Sequence, residues 1–197
     1  MDQQRRKLDV MILLLAGCDW FGSSVARVIP ALEVLNPELA AEPVDCDPPI
    51  PTPSPGHTGV IGTLACGDVV EGNTSVGNSV WNDQFYVHAA YCTPAVHYYD
   101  QAPEVIYRIE VPPNHEATVQ LDSNCVDLDV SMVAWQDTTS VPHDKHSIAE
   151  CQMDDSTGGG TVRGTAVDKP YTYLVGVDGK KGAIGNYRLT VTCRIYR

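Results

Sequence analysis

Carboxylates at short spacing are the first residues in this 197-residue chain whose types suggest chemistry. Asp127 and Asp129 stand two apart in an alternating run, and Asp154 and Asp155 open the later turn DDSTGGG. Two residues along a strand cover about 7 Å, so the first pair leaves one strand face. Calcium takes about six to eight oxygens, which makes the four acids a candidate calcium site, weighed against a plain solvated strand face. Glycosidase acid pairs have similar spacing, but nothing nearby supplies a sugar cleft. His143 and His146, in the run His143-Asp144-Lys145-His146 near Glu150 and Asp137, make a weak transition-metal motif, with a solvated loop as the simpler reading. No GxSxG or SxxK motif and no cysteine in a convincing histidine setting occurs, so catalysis is not expected and no cofactor is required.

A second group is aromatic. Trp81, Phe85, Tyr86, Tyr91, Tyr98 and Tyr99 gather within residues 76–103. Exposed, they would stack on sugar rings or on a protein partner and form the ligand-binding surface. Folded back, they would form a lid over the core. The sequence leaves both open.

The elements that position these groups read as strands. Residues 171–193 hold two period-two runs. Tyr171, Tyr173, Val175 and Val177 share one face of the first, and Tyr187, Leu189, Val191 and Cys193 one face of the second. The glycine-rich stretch at 178–186 joins them as a hairpin. Residues 104–111 alternate, as do 117–121 and 126–134. In the last of these Val126, Leu128, Val130, Met132 and Ala134 face inward, and Asp127, Asp129 and Ser131 outward. Residues 63–70 read as a first strand interrupted at Cys66-Gly67, and 148–152 and 161–167 as short strands. Seven to nine short strands with frequent turns predict an all-β, antiparallel β-sandwich, jelly-roll-like, over residues 57–197.

The formal charge is −12, which repels phosphate backbones and argues against nucleic acid as a partner. At the N-terminus Arg5-Arg6-Lys7 precedes the apolar run at 10–16 and then Gly17-Cys18. A basic start, a short apolar run and small residues describe an export signal over residues 1–17. Leu15-Ala16-Gly17-Cys18 resembles the lipobox of bacterial lipoproteins. That resemblance implies acylation of Cys18 and a membrane as partner. Each buried CH₂ adds about 0.8 kcal/mol to such an anchor. Residues 18–56 then read as a tether, with six prolines within 42–55 favouring an extended, semi-rigid spacer.

Seven cysteines occur, and setting Cys18 aside leaves six, an even number in an exported chain. Cys125 and Cys151 are expected to pair, from the ends of neighbouring strands. Cys66 and Cys193 would lie on the first and last strands. Cys46 and Cys92 stay unassigned.

Residues 64–193 resemble the bacterial pre-peptidase C-terminal domain family. The matching pieces are Cys66-Gly67-Asp68, the 103–108 strand, Val126-Asp127-Leu128-Asp129-Val130 and the VDG…GA.GNYRL ending. The resemblance implies a jelly-roll-like sandwich on a secreted bacterial protein, with relatives that bind insoluble polymers or use calcium. The expected protein is a non-catalytic module lipid-anchored in a bacterial envelope, engaging polysaccharide or extracellular protein. The alternative is a structural subunit of a homo- or hetero-assembly; a small hydrolase is a distant third.

Overall fold

The computed structural model describes residues 42–92 and 98–196. The expected export signal, Cys18 and the first part of the tether lie outside the described residues. Among the described residues nine strands form two sheets. They are β1 (Gly62–Leu64), β2 (Val69–Asn73), β3 (Val105–Val111), β4 (His115–Asp122), β5 (Leu128–Ala134), β6 (Cys151–Asp154), β7 (Gly159–Ala166), β8 (Tyr171–Gly179) and β9 (Asn186–Ile195). The five-stranded sheet runs β1-β3-β8-β5-β6 and the four-stranded sheet β2-β9-β4-β7. The expected sandwich is present, and its pairings are antiparallel except for β1, which lies parallel to β3.

The alternating residues do what period two requires. Val105, Tyr107 and Ile109 of β3, Val130 and Met132 of β5, Val175 and Val177 of β8, and Leu189 and Val191 of β9 fill the space between the sheets. The first expected strand is in fact two. The chain leaves the five-stranded sheet after Leu64, turns through Cys66-Gly67 and enters the four-stranded sheet at Val69. Gly67 has φ of 93°, which a side chain disfavours.

Three bridges close the molecule: Cys46–Cys125, Cys66–Cys193 and Cys92–Cys151. The second was expected. The expected Cys125–Cys151 bridge is not formed. Cys151 lies opposite Val133, near the end of β5 far from Cys125, and the strand from Leu128 to Val133 alone spans about 17 Å. A disulfide needs Cα atoms within about 7 Å. Cys125 instead takes Cys46, and Cys151 takes Cys92, each with Cα atoms 5.4 Å apart.

The first of these bridges corrects the tether. Residues 42–56 were expected to be spacer, yet they lie on the sandwich, and Val44 is buried. The extended backbone there has unpaired amides and carbonyls, and two asparagines take them. Asn124 accepts from Val44 N at 2.9 Å and donates to Val44 O at 3.1 Å. Asn186 accepts from Ile50 N at 2.9 Å and donates to Asp45 O at 2.7 Å and Pro48 O at 2.9 Å. The folded unit therefore starts near residue 42 rather than at 57.

Candidate functional site

The most unusual chemistry lies on the outer face of the five-stranded sheet. Asp129 of β5 stands directly opposite Asp178 of β8. One step beyond the Val105–Val177 pair of the β3–β8 ladder, Glu104 continues the row. All three acids are buried. Alternation would expose this face, and the sequence expectation placed Asp129 and Ser131 in solvent. The structure buries every residue of β5 because a lid, residues 78–92 and 98–102, covers the face.

The lid is aromatic. Trp81 stacks on Phe85 at 4.9 Å between ring centroids, and Tyr86 meets Phe85 and Tyr99 at 5.4 and 5.0 Å. The chain makes one wide helical turn, Phe85–Ala89, with Ala90 N donating to Phe85 O at 2.9 Å. Ile106, Val133 and Leu174 of the sheet pack against these rings. Of the six aromatic residues expected to meet a ligand, Trp81, Phe85, Tyr86 and Tyr99 are buried in this second core. Only Tyr91 and Tyr98 are exposed, at 72% and 56%. Burying the large rings removes far more apolar area from water than a solvated loop would, so the lid reading prevails for those four.

Polar tips of the lid descend onto the acids. Tyr99 OH donates to Asp129 Oδ2 at 2.5 Å, and Tyr86 OH reaches Asp178 Oδ2 at 3.4 Å. Glu104 Oε1 accepts from Val80 N at 2.7 Å and Trp81 N at 3.1 Å, whereas Glu104 Oε2 is buried with no hydrogen-bond partner among the described residues. Burial holds the Asp178 carboxyl well above the usual carboxylate range, and neighbouring Glu104 adds to it. Burial pushes Glu104 up to about 7. Asp129 is also raised by burial, against the lowering effects of Tyr99 and Lys180.

The expected calcium ligands do not converge on one point. Lys180 Nζ lies 3.2 Å from Asp129 Oδ1 and 3.5 Å from Asp127 Oδ2, and donates to Asp155 O at 2.8 Å. An ammonium thus sits among three of the four residues. Asp154 turns away, accepting from Ser156 N, Ser156 Oγ and Thr161 N as the cap of its own turn. Among the described residues no three His, Cys, Asp or Glu side chains are placed to hold a metal. The histidine motif is likewise occupied locally, because His146 Nδ1 accepts from His143 N at 3.1 Å and His143 Nδ1 lies 3.2 Å from Asp144. Asp137 caps Thr139 and Ser140. Glu150 accepts from Tyr173 OH at 3.3 Å.

Glu104, Asp178 and Lys180 escaped the sequence reading. Lys180 looked like a turn residue. Asp178 looked like the start of the hairpin connection. Only a correct three-strand register would have put the acids in one row. Beside the lid's entry is an open depression of about 430 Å³, lined by His57, Asn78, Val80, Ser140 and Val141 among others.

Two solved structures are similar in chain path. One is the pre-peptidase C-terminal domain of a collagenase from Bacillus anthracis, at 13% identity, covering 66% of this chain and 93% of that one, with a TM-score of 0.39. The other is PliG of Aeromonas hydrophila, a periplasmic inhibitor of g-type lysozyme, at 12% identity, covering 66% and 88%, with a TM-score of 0.38. No protein-family model matches the chain, and no curated protein matches it. What the residues themselves define is a disulfide-stapled β-sandwich with an aromatic lid over a buried acidic row.

Proposed function

We propose that this chain is an exported, non-catalytic binding module, lipid-anchored through Cys18 in a bacterial cell envelope. The observation that carries the reading is the cysteine pairing. Cys46, Cys66, Cys92, Cys125, Cys151 and Cys193 close three bridges, and the seventh cysteine, Cys18, ends the sequence Leu15-Ala16-Gly17-Cys18. Three bridges suit an oxidising compartment. The sealed positions of Glu104, Asp129 and Asp178 support a non-catalytic role, since a solute does not reach them while the lid is seated. Ligand contact falls to the two exposed lid tyrosines, Tyr91 and Tyr98, whose rings offer an apolar face and a polar tip to polysaccharide or protein.

Two measurements test this. In the native host, Cys18→Ala should move the protein from the membrane to the soluble fraction; membrane retention would overturn the anchor. The wild-type chain with its disulfides formed should pellet with one of cellulose, chitin, peptidoglycan or collagen, equally in calcium and in chelator. Tyr91→Ala with Tyr98→Ala should weaken that binding about three- to tenfold. Pelleting with none of the four would favour the structural-subunit alternative.

A further inference from the structure

We infer that Glu104 is a proton-controlled latch for the aromatic lid, which loosens from the five-stranded sheet as the pH rises towards neutrality. The geometry is local and specific. Glu104 and Asn78 exchange both backbone hydrogen bonds, at 2.6 and 2.9 Å, just where the lid begins. The Glu104 side chain then receives the next two free amides, Val80 N and Trp81 N, on one oxygen. Its other oxygen is buried without a hydrogen-bond partner among the described residues. One residue thus fixes the lid's entry and also holds the group most exposed to a change of charge.

The groups facing Glu104 give an added charge little support. Asp178 is its neighbour on β8, and Asp129 follows on β5. The lid contributes the hydroxyls of Tyr86 and Tyr99, which already serve Asp178 and Asp129. Lys180 is committed to Asp129, Asp127 and the Asp155 carbonyl. Ionised Glu104 therefore sets a negative charge beside the buried Asp178 carboxyl, with Oε2 unsolvated. An open lid lets water reach that oxygen.

The sign follows from linkage. Closed, Glu104 titrates at about 7; open, it returns to the ordinary carboxylate value near 4.3. The closed-to-open ratio is highest below the ordinary value. It falls by roughly tenfold per pH unit up to about 7, then levels off. The Cys92–Cys151 bridge ties the lid to β6, so the stretch between Asn78 and Cys92 is the part that Glu104 holds at one end and the bridge at the other.

Hydrogen exchange on the full chain with its disulfides formed tests this directly. After correction for the intrinsic rate, amides of residues 80–90 should open at least about tenfold more at pH 8 than at pH 5. Residues 117–121 of β4 serve as the reference and should not change in this way. Glu104→Gln keeps an acceptor for Val80 and Trp81 but does not ionise, so the rise in its lid should be clearly smaller than in the wild type, the remainder being due to Asp178. A wild-type lid whose corrected exchange is flat with pH overturns the inference, as does an unchanged rise in Glu104→Gln. If that variant does not fold, Asp178→Asn takes its place: its lid should keep a rise towards neutrality, and a flat profile there overturns the inference.

Discussion

Asp178 and Asp129 face each other across the β5–β8 ladder in a place water does not reach. Like charges directly opposed on adjacent strands destabilise a sheet, and burial multiplies the cost. The fold handles the pair asymmetrically. Asp129 receives the Lys180 ammonium and the Tyr99 hydroxyl. Asp178 has Tyr86 OH at 3.4 Å and its own neighbour Gly179 N at 2.7 Å, and its carboxyl is held well above the usual range. The native state therefore keeps a proton that the unfolded chain has already released. Stability from this group is complete at pH below the ordinary Asp value, about 3.9, and is lost progressively above it. In urea titrations the wild type should be less stable at pH 8 than at pH 5. Asp178→Asn retains the acceptor for Gly179 N, should reduce that loss, and should be about 1–3 kcal/mol more stable than wild type at pH 8. An equal pH slope in both proteins would show that Asp178 is not the protonated member.

At the scale of elements, the lid seats because β8 lacks a side chain at one position. A Cβ on Gly176 would lie 2.5 Å from the Trp81 ring and 2.8 Å from Ser131 Oγ. Gly176→Ala should therefore cost about 1–3 kcal/mol by overpacking and raise exchange in the lid more than in β4 and β9. Wild-type stability in that variant would mean Trp81 sits elsewhere. The other added element is the arm at residues 42–56. Asn186 makes three hydrogen bonds to it and accepts a fourth from Asn73 Nδ2 of β2 at 2.6 Å. Asn186→Ala should leave about 1–3 kcal/mol of unmet polar groups and open residues 44–52 to limited proteolysis while the sandwich stays intact. These two elements also mark where the sequence stops being legible. Strands β3, β4, β5, β8 and β9 could be read because alternation records which face meets the interior between the sheets. Alternation cannot record that a loop from elsewhere covers the second face, so Asp129 and Ser131 read as solvent-facing. The prolines of the arm do describe an extended backbone. That backbone is held by two asparagine side chains and one cysteine supplied from residues 124–125 and 186, a pairing no local pattern announces.

For the whole molecule, the three bridges divide the work by place rather than by loop length. Chain-entropy arithmetic gives loops of 59, 79 and 127 residues nearly equal contributions, about 4–5 kcal/mol each. Location separates them. Cys66–Cys193 ties the crossing between the sheets to β9, which pairs with β2 and β4 at the heart of the four-stranded sheet. Cys92–Cys151 ties the lid to β6 at the edge of the other sheet. Replacing both cysteines of the first bridge with alanine should lower the main unfolding transition by about 4 kcal/mol and leave it cooperative. Replacing both cysteines of the second should split off an earlier step in which residues 80–91 exchange while β3, β4 and β9 remain protected, because the second core would lose its only disulfide among the described residues. Denaturant-dependent hydrogen exchange distinguishes the two. If both double variants unfold in one step with the same protected set, lid and sandwich are one cooperative unit, and the acidic row is a buried part of a single core rather than the floor of a separable cover.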